Sequence, residues 1–93
     1  MKSTRSIVYM KDLIGMEVIS REGELLGRVE ELAAEVHAGT LAFLVMRYTD
    51  QDKRFMIPYS STDFDATQRR LVVGIDREVF ENTPGMAVPL DAA

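Results

Sequence analysis

The stretch SREGELLGRVEEL at residues 20–32 contains two glycines, Gly23 and Gly27, whose spacing fits three different structures. The choice among these structures decides the fold. A phosphate-binding loop needs such glycines between a strand and a helix, followed by Lys and then Ser or Thr, and Arg28-Val29 does not supply this. A small-xxx-small contact between membrane helices needs an apolar segment of about 20 residues, whereas this stretch carries several charges. Turn chemistry favours a β-hairpin with Gly23 in the turn.

The segment after this turn, residues 24–37, has two interpretations. Its apolar residues stand at odd positions up to Val29 and at even positions from Leu32 onward. A strand with this pattern needs one extra residue near Glu30-Glu31, as in a β-bulge. The same letters also fit the apolar stripe of a helix, and periodicity alone slightly favours the helix.

Outward from this segment, short β-friendly runs alternate with turn residues. The predicted strands cover residues 16–20, 40–49, 53–58, a short piece around Phe64, and 69–75. A short helix is predicted after Asp76, which is a good N-cap, and Pro84-Gly85 ends it. Five or six short strands with closely spaced turns indicate a mainly β fold, a small antiparallel β-barrel with one short C-terminal helix.

The composition narrows the classes of function. The 93 residues contain no cysteine and one histidine, which excludes disulfides, thiolate nucleophiles and a His pair for a metal within one chain. A net charge of −4 argues against direct binding of nucleic acid. No apolar run is long enough for a transmembrane segment, and a cytoplasmic location is expected. Residues 1–9 are expected to be a flexible lead-in, residues 10–86 the domain, and residues 87–93 a tail.

The order of these features resembles the PRC-barrel family. The residues that carry the resemblance are Leu13 to Gly15, Gly23, Gly27 to Val29, Ile57 to Tyr59, Asp76 to Glu78, and Pro84-Gly85. The resemblance implies that residues 24–37 form a strand and that Gly27 lies within it. Barrels of this family occur in the photosynthetic reaction-centre H subunit, in a ribosome-maturation factor that binds a small-subunit ribosomal protein, and in short stand-alone proteins, which this chain resembles most.

Several polar groups are candidates for a chemical site. His37 and Glu35 could form an acid–base or metal pair, but they adjoin a glycine turn. The pairs Asp50/Asp52 and Asp63/Asp65 lack the further ligands of a calcium loop, and Asp is common in turns. The hydroxyls of residues 60–62 have no evident base. We therefore predict no catalytic residue, no metal ligand and no cofactor, and a protein that is not an enzyme.

Residues 40–49 are apolar at both alternate sets of positions, so one set can fill a barrel while the other needs external cover. The sequence does not decide which set faces inward. The cover is either the short helix, through Val79 and Phe80, or a partner protein. The residues predicted to contact a partner or a second copy are Leu44, Met46, Tyr48, Met56 and Tyr59.

These features predict a non-catalytic protein-interaction module that forms a homodimer. One alternative is an accessory of RNA metabolism or ribosome maturation that binds a basic ribosomal protein, which the acidic net charge would favour. A second alternative is a sensor of a small ligand or metal that uses the Asp pairs and His37.

Overall fold

A hairpin centred on Gly23 opens the sheet. The computed structural model describes residues 8–85, so the expectations for residues 1–7 and 86–93 lie outside the described residues. Strands β1 (Glu17–Ser20) and β2 (Leu25–Glu35) pair antiparallel, and Gly23 in the turn has a φ of 89°. Residues with a side chain rarely adopt this backbone angle, which explains the glycine. Residues 25–35 are therefore a strand, and the helix interpretation is wrong.

The predicted β-bulge is present in β2. Its pairing with β3 (Thr40–Tyr48) shifts between Val29 and Glu31, which leaves one extra residue in β2. The extra residue reverses the alternation, so Val29 before the bulge and Leu32 after it both pack on the core. The change from odd to even apolar positions in the sequence therefore results from this β-bulge.

Gly27 has a packing role inside β2. A Cβ atom at this position would collide with the carbonyl oxygen of Arg47 and would lie 2.9 Å from the Met46 Cγ. The close approach of β2 and β3 at this point therefore requires glycine.

Three further strands complete the sheet: β4 (Arg54–Pro58), β5 (Thr62–Asp65) and β6 (Arg70–Val73). The strand order is β4-β3-β2-β1-β6-β5, which makes β4 and β5 the two edges. The sheet curls into a half-barrel, and a 3-10 turn at Tyr59–Ser61 connects its two edges. The mainly β fold class, a small barrel-type sheet, is confirmed with six strands; four of its five strand pairs are antiparallel, and the β1–β6 pair is parallel.

Two short helices flank the sheet. Helix α2 (Arg77–Asn82) lies where the sequence predicts it, although the Asp76 side chain at the N-cap position makes no capping hydrogen bond. Helix α1 (Met10–Leu13), which was not predicted, places Leu13 in the core. No helix within residues 8–85 is long and apolar enough to cross a membrane.

The core lies on the concave side of the sheet. Phe80 of α2 closes it by stacking on Tyr48 at 5.9 Å between ring centroids and by meeting Phe55 edge-on at 4.9 Å. The other buried members of the core cluster are Leu13, Met16, Val18, Leu26, Val29, Leu44, Met46, Ile57, Leu71 and Val73. Helix α2 is thus held over β3 and β4 by an aromatic cluster.

Candidate functional site

The inward-facing side of β3 is now fixed. Leu44 and Met46 are 0% exposed and Tyr48 is 2% exposed, and all three belong to the core. The contact prediction is corrected to this extent: these three side chains do not reach the surface of the chain. Their cover comes from the rest of the core, with Phe80 of α2 on Tyr48, which is the helix alternative considered for residues 40–49.

The other two predicted contact residues lie at or next to the surface. Met56, in the edge strand β4, is 36% exposed. Tyr59 is half-buried at the start of the 3-10 turn and packs against the core. No partner chain is present to test a contact, so a role for Met56 and Tyr59 in binding stays a prediction.

An apolar groove runs between β4 and α2. It has a volume of about 200 Å³, and Val79, which is 52% exposed, forms part of its α2 side. The full lining is Phe55, Met56, Ile57, Pro58, Ile75, Val79, Phe80 and Thr83. Apolar side chains therefore continue from the core to the surface at this edge of the sheet, which is the usual character of a contact site.

Lys53 fixes the C-terminal end of α2 beside β4. Its ammonium group donates hydrogen bonds to the carbonyl oxygens of Phe80, Glu81 and Thr83 at 3.2, 3.1 and 3.0 Å. A cation is favourable there because the last carbonyls of a helix have no partners within the helix and carry partial negative charge. This contact holds Thr83, which lines the groove, next to the start of β4.

Arg77 fixes the N-terminal end of α2. Its guanidinium donates to the Leu25 carbonyl oxygen at 2.6 Å and pairs with the Asp50 carboxylate. The guanidinium also lies 3.5 Å from the Tyr48 hydroxyl, and burial raises the pKa of Tyr48. The hydroxyl therefore stays protonated and donates to Glu81 at 3.3 Å. The Asp-Arg-Glu motif marked this position, but the partners of Arg77 come from elements far apart in sequence.

Helix α2, which forms one side of the groove, carries two acidic residues and a third at its N-cap, and we call these three carboxylates the acidic rim. The carboxylates of Asp76, Glu78 and Glu81 are on exposed residues and form no salt bridge within residues 8–85. The nearby cations Lys53 and Arg77 are already bound to carbonyls and to carboxylates elsewhere. Asp50 balances the charge of Arg77, and the three carboxylates outnumber the one remaining cation, Lys53, so the net charge around this helix is negative and favours a basic partner.

A separate charged cluster ties β4 to β2. Glu30 accepts hydrogen bonds from Arg54 at 2.5 Å and from Arg47 at 3.2 Å. The hydrogen bond from Arg54 lowers the pKa of Glu30 against the opposing effect of burial, and the contact with Arg47 lowers it further. These side chains satisfy one another, so the cluster stabilises the edge strand and leaves no charge for a ligand.

The other polar candidates have structural partners. The Glu35 carboxylate accepts from the backbone nitrogens of His37 and Ala38, so it caps a turn and does not pair with the imidazole of His37. Thr62 donates its hydroxyl to the Tyr59 carbonyl at 2.8 Å. Asp52, like Asp50, is ion-paired with an arginine.

No group of three or more metal-ligating side chains occurs in the described part of the chain. A wider depression of about 460 Å³ between α1 and β1 holds Asp12, Glu17, Arg28 and Arg69, and the Arg28–Glu17 ion pair at 3.3 Å occupies part of it. Neither observation indicates a catalytic centre.

The curled six-stranded sheet, closed on one side by a short helix, places the protein in the class of small β-barrel domains. Residues 6–80 match the PRC-barrel domain, and the chain belongs to the PRC-barrel domain family. The resemblance stated from the sequence is thereby confirmed.

Two relatives show how the domain is used elsewhere. The chain is 40% identical over 68 residues to the ribosome maturation factor RimM of Paracidovorax citrulli (strain AAC00-1). The aligned region covers 70% of this chain and 36% of that protein. The crystal structure of a putative 16S ribosomal RNA processing protein RimM from Pseudomonas aeruginosa superposes with a TM-score of 0.58 at 20% identity, covering 76% of this chain and 45% of that one. This chain spans less than half the length of either relative, and the structural match shows the shared fold.

Proposed function

We propose that this protein is a non-catalytic binding module of ribosome maturation, and that it binds a basic ribosomal protein in the groove between β4 and α2. The observation that carries the proposal is an apolar groove with an acidic rim beside a sheet edge that has no strand partner in the described part of the chain. A cytoplasmic location accords with this role.

The groove and the edge strand supply different parts of the binding energy. Val79 and Met56 offer apolar area, and each fully buried side chain of this size contributes roughly 1.5–3 kcal/mol. A typical protein–protein interface buries about 800 Å² and roughly 20–30 residues on each partner. The groove has eight lining residues, so a partner needs further contacts outside it. The outer backbone groups of β4 provide them, because an extended segment of a partner can pair with an exposed sheet edge.

The acidic rim selects the partner. Glu78 and Glu81 lie in α2 and Asp76 lies at its N-cap, beside the groove. Opposite charges speed association and suppress wrong partners more than they raise affinity, and the effect weakens with salt. We therefore expect a partner rich in Lys and Arg, with an association rate that falls as the salt concentration rises.

The similarity to a ribosome maturation factor supports the process. The 40% identity extends over 68 residues, which is most of the chain. Ribosomal proteins are generally basic, so this process and the acidic rim point to the same class of partner. The similarity covers only part of the longer relative, and the assignment of this chain to ribosome maturation rests on the binding experiment below.

A homodimer through the same edge is the second candidate. The β4 edge has no strand partner among residues 8–85, and two copies could pair there. Light scattering at several concentrations separates the two: a mass that stays monomeric excludes the homodimer, and a mass that rises to twice the chain mass supports it.

The test is a binding titration of the full chain with purified small-subunit ribosomal proteins. Val79→Lys places a charge in the groove, and Val36→Lys places the same charge in an exposed hairpin turn as the matched control. We expect one basic ribosomal protein to bind, with at least a roughly tenfold loss for Val79→Lys, about 1.4 kcal/mol, and no loss for Val36→Lys. Equal binding by both variants, or no binding by the parent chain, would contradict the proposal.

A further inference from the structure

We infer that the partner contributes a short extended segment that pairs with the backbone of β4 at Arg54 and Met56, and that this pairing stops at Pro58. The segment carries two apolar side chains two positions apart, next to Lys or Arg. The inference rests on the proposed function, because it names the part of the basic partner that enters the β4–α2 groove.

The pairing of β4 with β3 fixes which backbone groups of β4 point outward. The Tyr48 N–H donates a hydrogen bond to the Lys53 carbonyl oxygen at 2.9 Å, so this carbonyl points toward β3. The two strands then pair residue by residue to the end of β4. Because the backbone groups of successive strand residues point to opposite sides, those of Arg54, Met56 and Pro58 point away from β3.

Pro58 limits the length of this outward edge. Among residues 8–85, no strand pairs with the outer side of β4. Arg54 and Met56 each direct an N–H and a C=O to that side, whereas Pro58 has only its carbonyl oxygen to offer. A proline at an outward position leaves the bonds between β3 and β4 intact but gives an added strand no donor. The edge therefore fits a segment of about five residues, which is the length of β4.

The backbone edge of β4 forms one wall of the groove. Four consecutive residues, 55–58, line it. Side chains of a strand alternate between its two faces, so one row of side chains would supply only every second residue of such a run. The opposite wall includes Val79 in α2 and Thr83 after it. An extended segment that lies in the groove therefore contacts the outward backbone groups of β4.

The side chains of the segment that enter the groove stand two positions apart. Phe55 and Ile57 are buried and pair with Met46 and Leu44 of the core, so they point to the side of the sheet where α2 packs. Residues opposite each other in neighbouring strands point to the same side. The two residues opposite Phe55 and Ile57 therefore point toward Val79, which is 52% exposed, and apolar side chains fit this wall. The residue between them points away from α2.

The charges around the groove favour Lys or Arg beside the apolar pair. The acidic rim on the α2 side attracts a cation. On the β4 side, Arg54 is the one charged residue of the strand, and its guanidinium donates to Glu30 at 2.5 Å. This ion pair balances the charge of Arg54, so β4 does not repel a basic segment.

Amide hydrogen exchange of the full chain, read by NMR, tests the pairing with a synthetic peptide of this pattern, acetyl-Lys-Val-Thr-Val-Lys-amide. We expect the amides of Arg54 and Met56 to exchange at least about tenfold more slowly at saturating peptide, because the added strand accepts both hydrogen bonds. The control peptide acetyl-Lys-Thr-Val-Val-Lys-amide has the same composition with adjacent valines, and it should bind about tenfold more weakly. Unchanged exchange at Arg54 and Met56, or no binding at millimolar peptide, would overturn the inference.

Two substitutions at one position separate the backbone from the side chain. Met56→Pro removes the outward N–H, and Met56→Ala keeps it while shortening the side chain. Since this N–H points away from β3, neither variant removes a hydrogen bond between β3 and β4. We expect the peptide to bind Met56→Pro about tenfold more weakly than Met56→Ala. Equal affinities would overturn the pairing, and if Met56→Pro does not fold, the exchange measurement on the parent chain decides.

The same measurement with the ribosomal protein separates this inference from the proposed function. If the peptide protects Arg54 and Met56 but no ribosomal protein binds, the edge pairing stands and the proposed function fails. If a ribosomal protein binds without protecting these two amides, the proposed function stands and the edge pairing is wrong.

Discussion

The two edges of the sheet, β4 and β5, have similar lengths but opposite surfaces. Edge strand β5 exposes Asp63 and uses Asp65 to bind Arg70 and to accept hydrogen bonds from the backbone of the adjoining turn. Edge strand β4 exposes Met56 beside an apolar groove. Charged side chains on an edge oppose pairing with another chain, and an apolar edge permits it.

This difference indicates that β4, and not β5, is the edge available to a protein partner. Neither β4 nor β5 has a strand partner on its outer side among residues 8–85, so the backbone alone does not distinguish the two edges. The side chains do, together with helix α2, which supplies a second apolar wall on the β4 side only. Four substitutions, taken from the largest expected effect to the smallest, test this contrast.

Removing the aromatic ring that holds α2 on β4 has the largest expected effect. Phe80→Ala should lower the free energy of unfolding by about 3–5 kcal/mol, because Phe80 is buried against two aromatic rings. Phe64→Ala in β5 should cost less, since Phe64 is only partly buried. Urea unfolding of both variants measures the loss in the free energy of unfolding. An equal or larger loss for Phe64→Ala would contradict the tighter packing proposed at the β4 edge.

Removing the ammonium group at the end of α2 should have an intermediate effect. Lys53→Met keeps the aliphatic stem but removes the donor from the Glu81 and Thr83 carbonyl oxygens and leaves the Phe80 oxygen only the Thr83 N–H, which should cost about 0.5–2 kcal/mol because these groups are partly exposed. Lys11→Met, on an exposed residue of α1, is the control with the same change of charge. A loss for Lys53→Met no greater than that of the control in thermal denaturation would show that the contact does not anchor α2.

A charge on the apolar edge should weaken binding without unfolding the chain. Met56→Lys should reduce the affinity for the ribosomal protein about tenfold, equivalent to about 1.4 kcal/mol, because the side chain lines the groove. Asp63→Lys on the opposite edge should leave the affinity within about twofold at moderate salt, where charges beyond a Debye length are screened. Calorimetric titration decides, and a larger loss for Asp63→Lys would place the binding edge on β5.

The smallest effect concerns the carboxylate that ties β4 to β2. The pKa of Glu30 in the folded chain lies below its ordinary value of 4.5, so the unfolded chain binds more protons as the pH falls. The stability from this group is therefore present above about pH 4.5 and is lost as the pH falls through the folded pKa. Glu30→Gln should flatten this part of the stability curve, by less than about 1 kcal/mol for a partly exposed pair.

The measurement for Glu30 is the urea midpoint of the parent and of Glu30→Gln between pH 3 and 6. We expect the two curves to converge at low pH and to separate above about pH 5. A constant difference across the whole range would mean that the pKa of Glu30 is not lowered in the folded chain.

The sequence predicted the features that depend on local chemistry. Gly23 marked the turn, the parity change after Val29 marked the bulge, and Asp76 and Pro84 bounded the second helix. These features were predictable because a turn, a bulge or a cap depends on residues a few positions apart.

The remaining features depend on contacts between distant segments. The two alternate sets of β3 are both apolar, so the sequence did not show that Leu44 and Met46 face the core. The parallel pairing of β1 with β6 joins strands about 50 residues apart, and no local signal marks it. Lys53 and Arg77 were missed as anchors of α2 because their partners become neighbours only in the folded chain.

The most direct test of the central claim is an NMR titration of the full chain with the basic ribosomal protein, read at every assigned backbone amide. Binding at the β4–α2 groove predicts the largest shift changes at Met56, Val79 and Thr83, with little change at Asp63 and Asp65. Changes centred on β5, or spread evenly over the domain, would contradict the account.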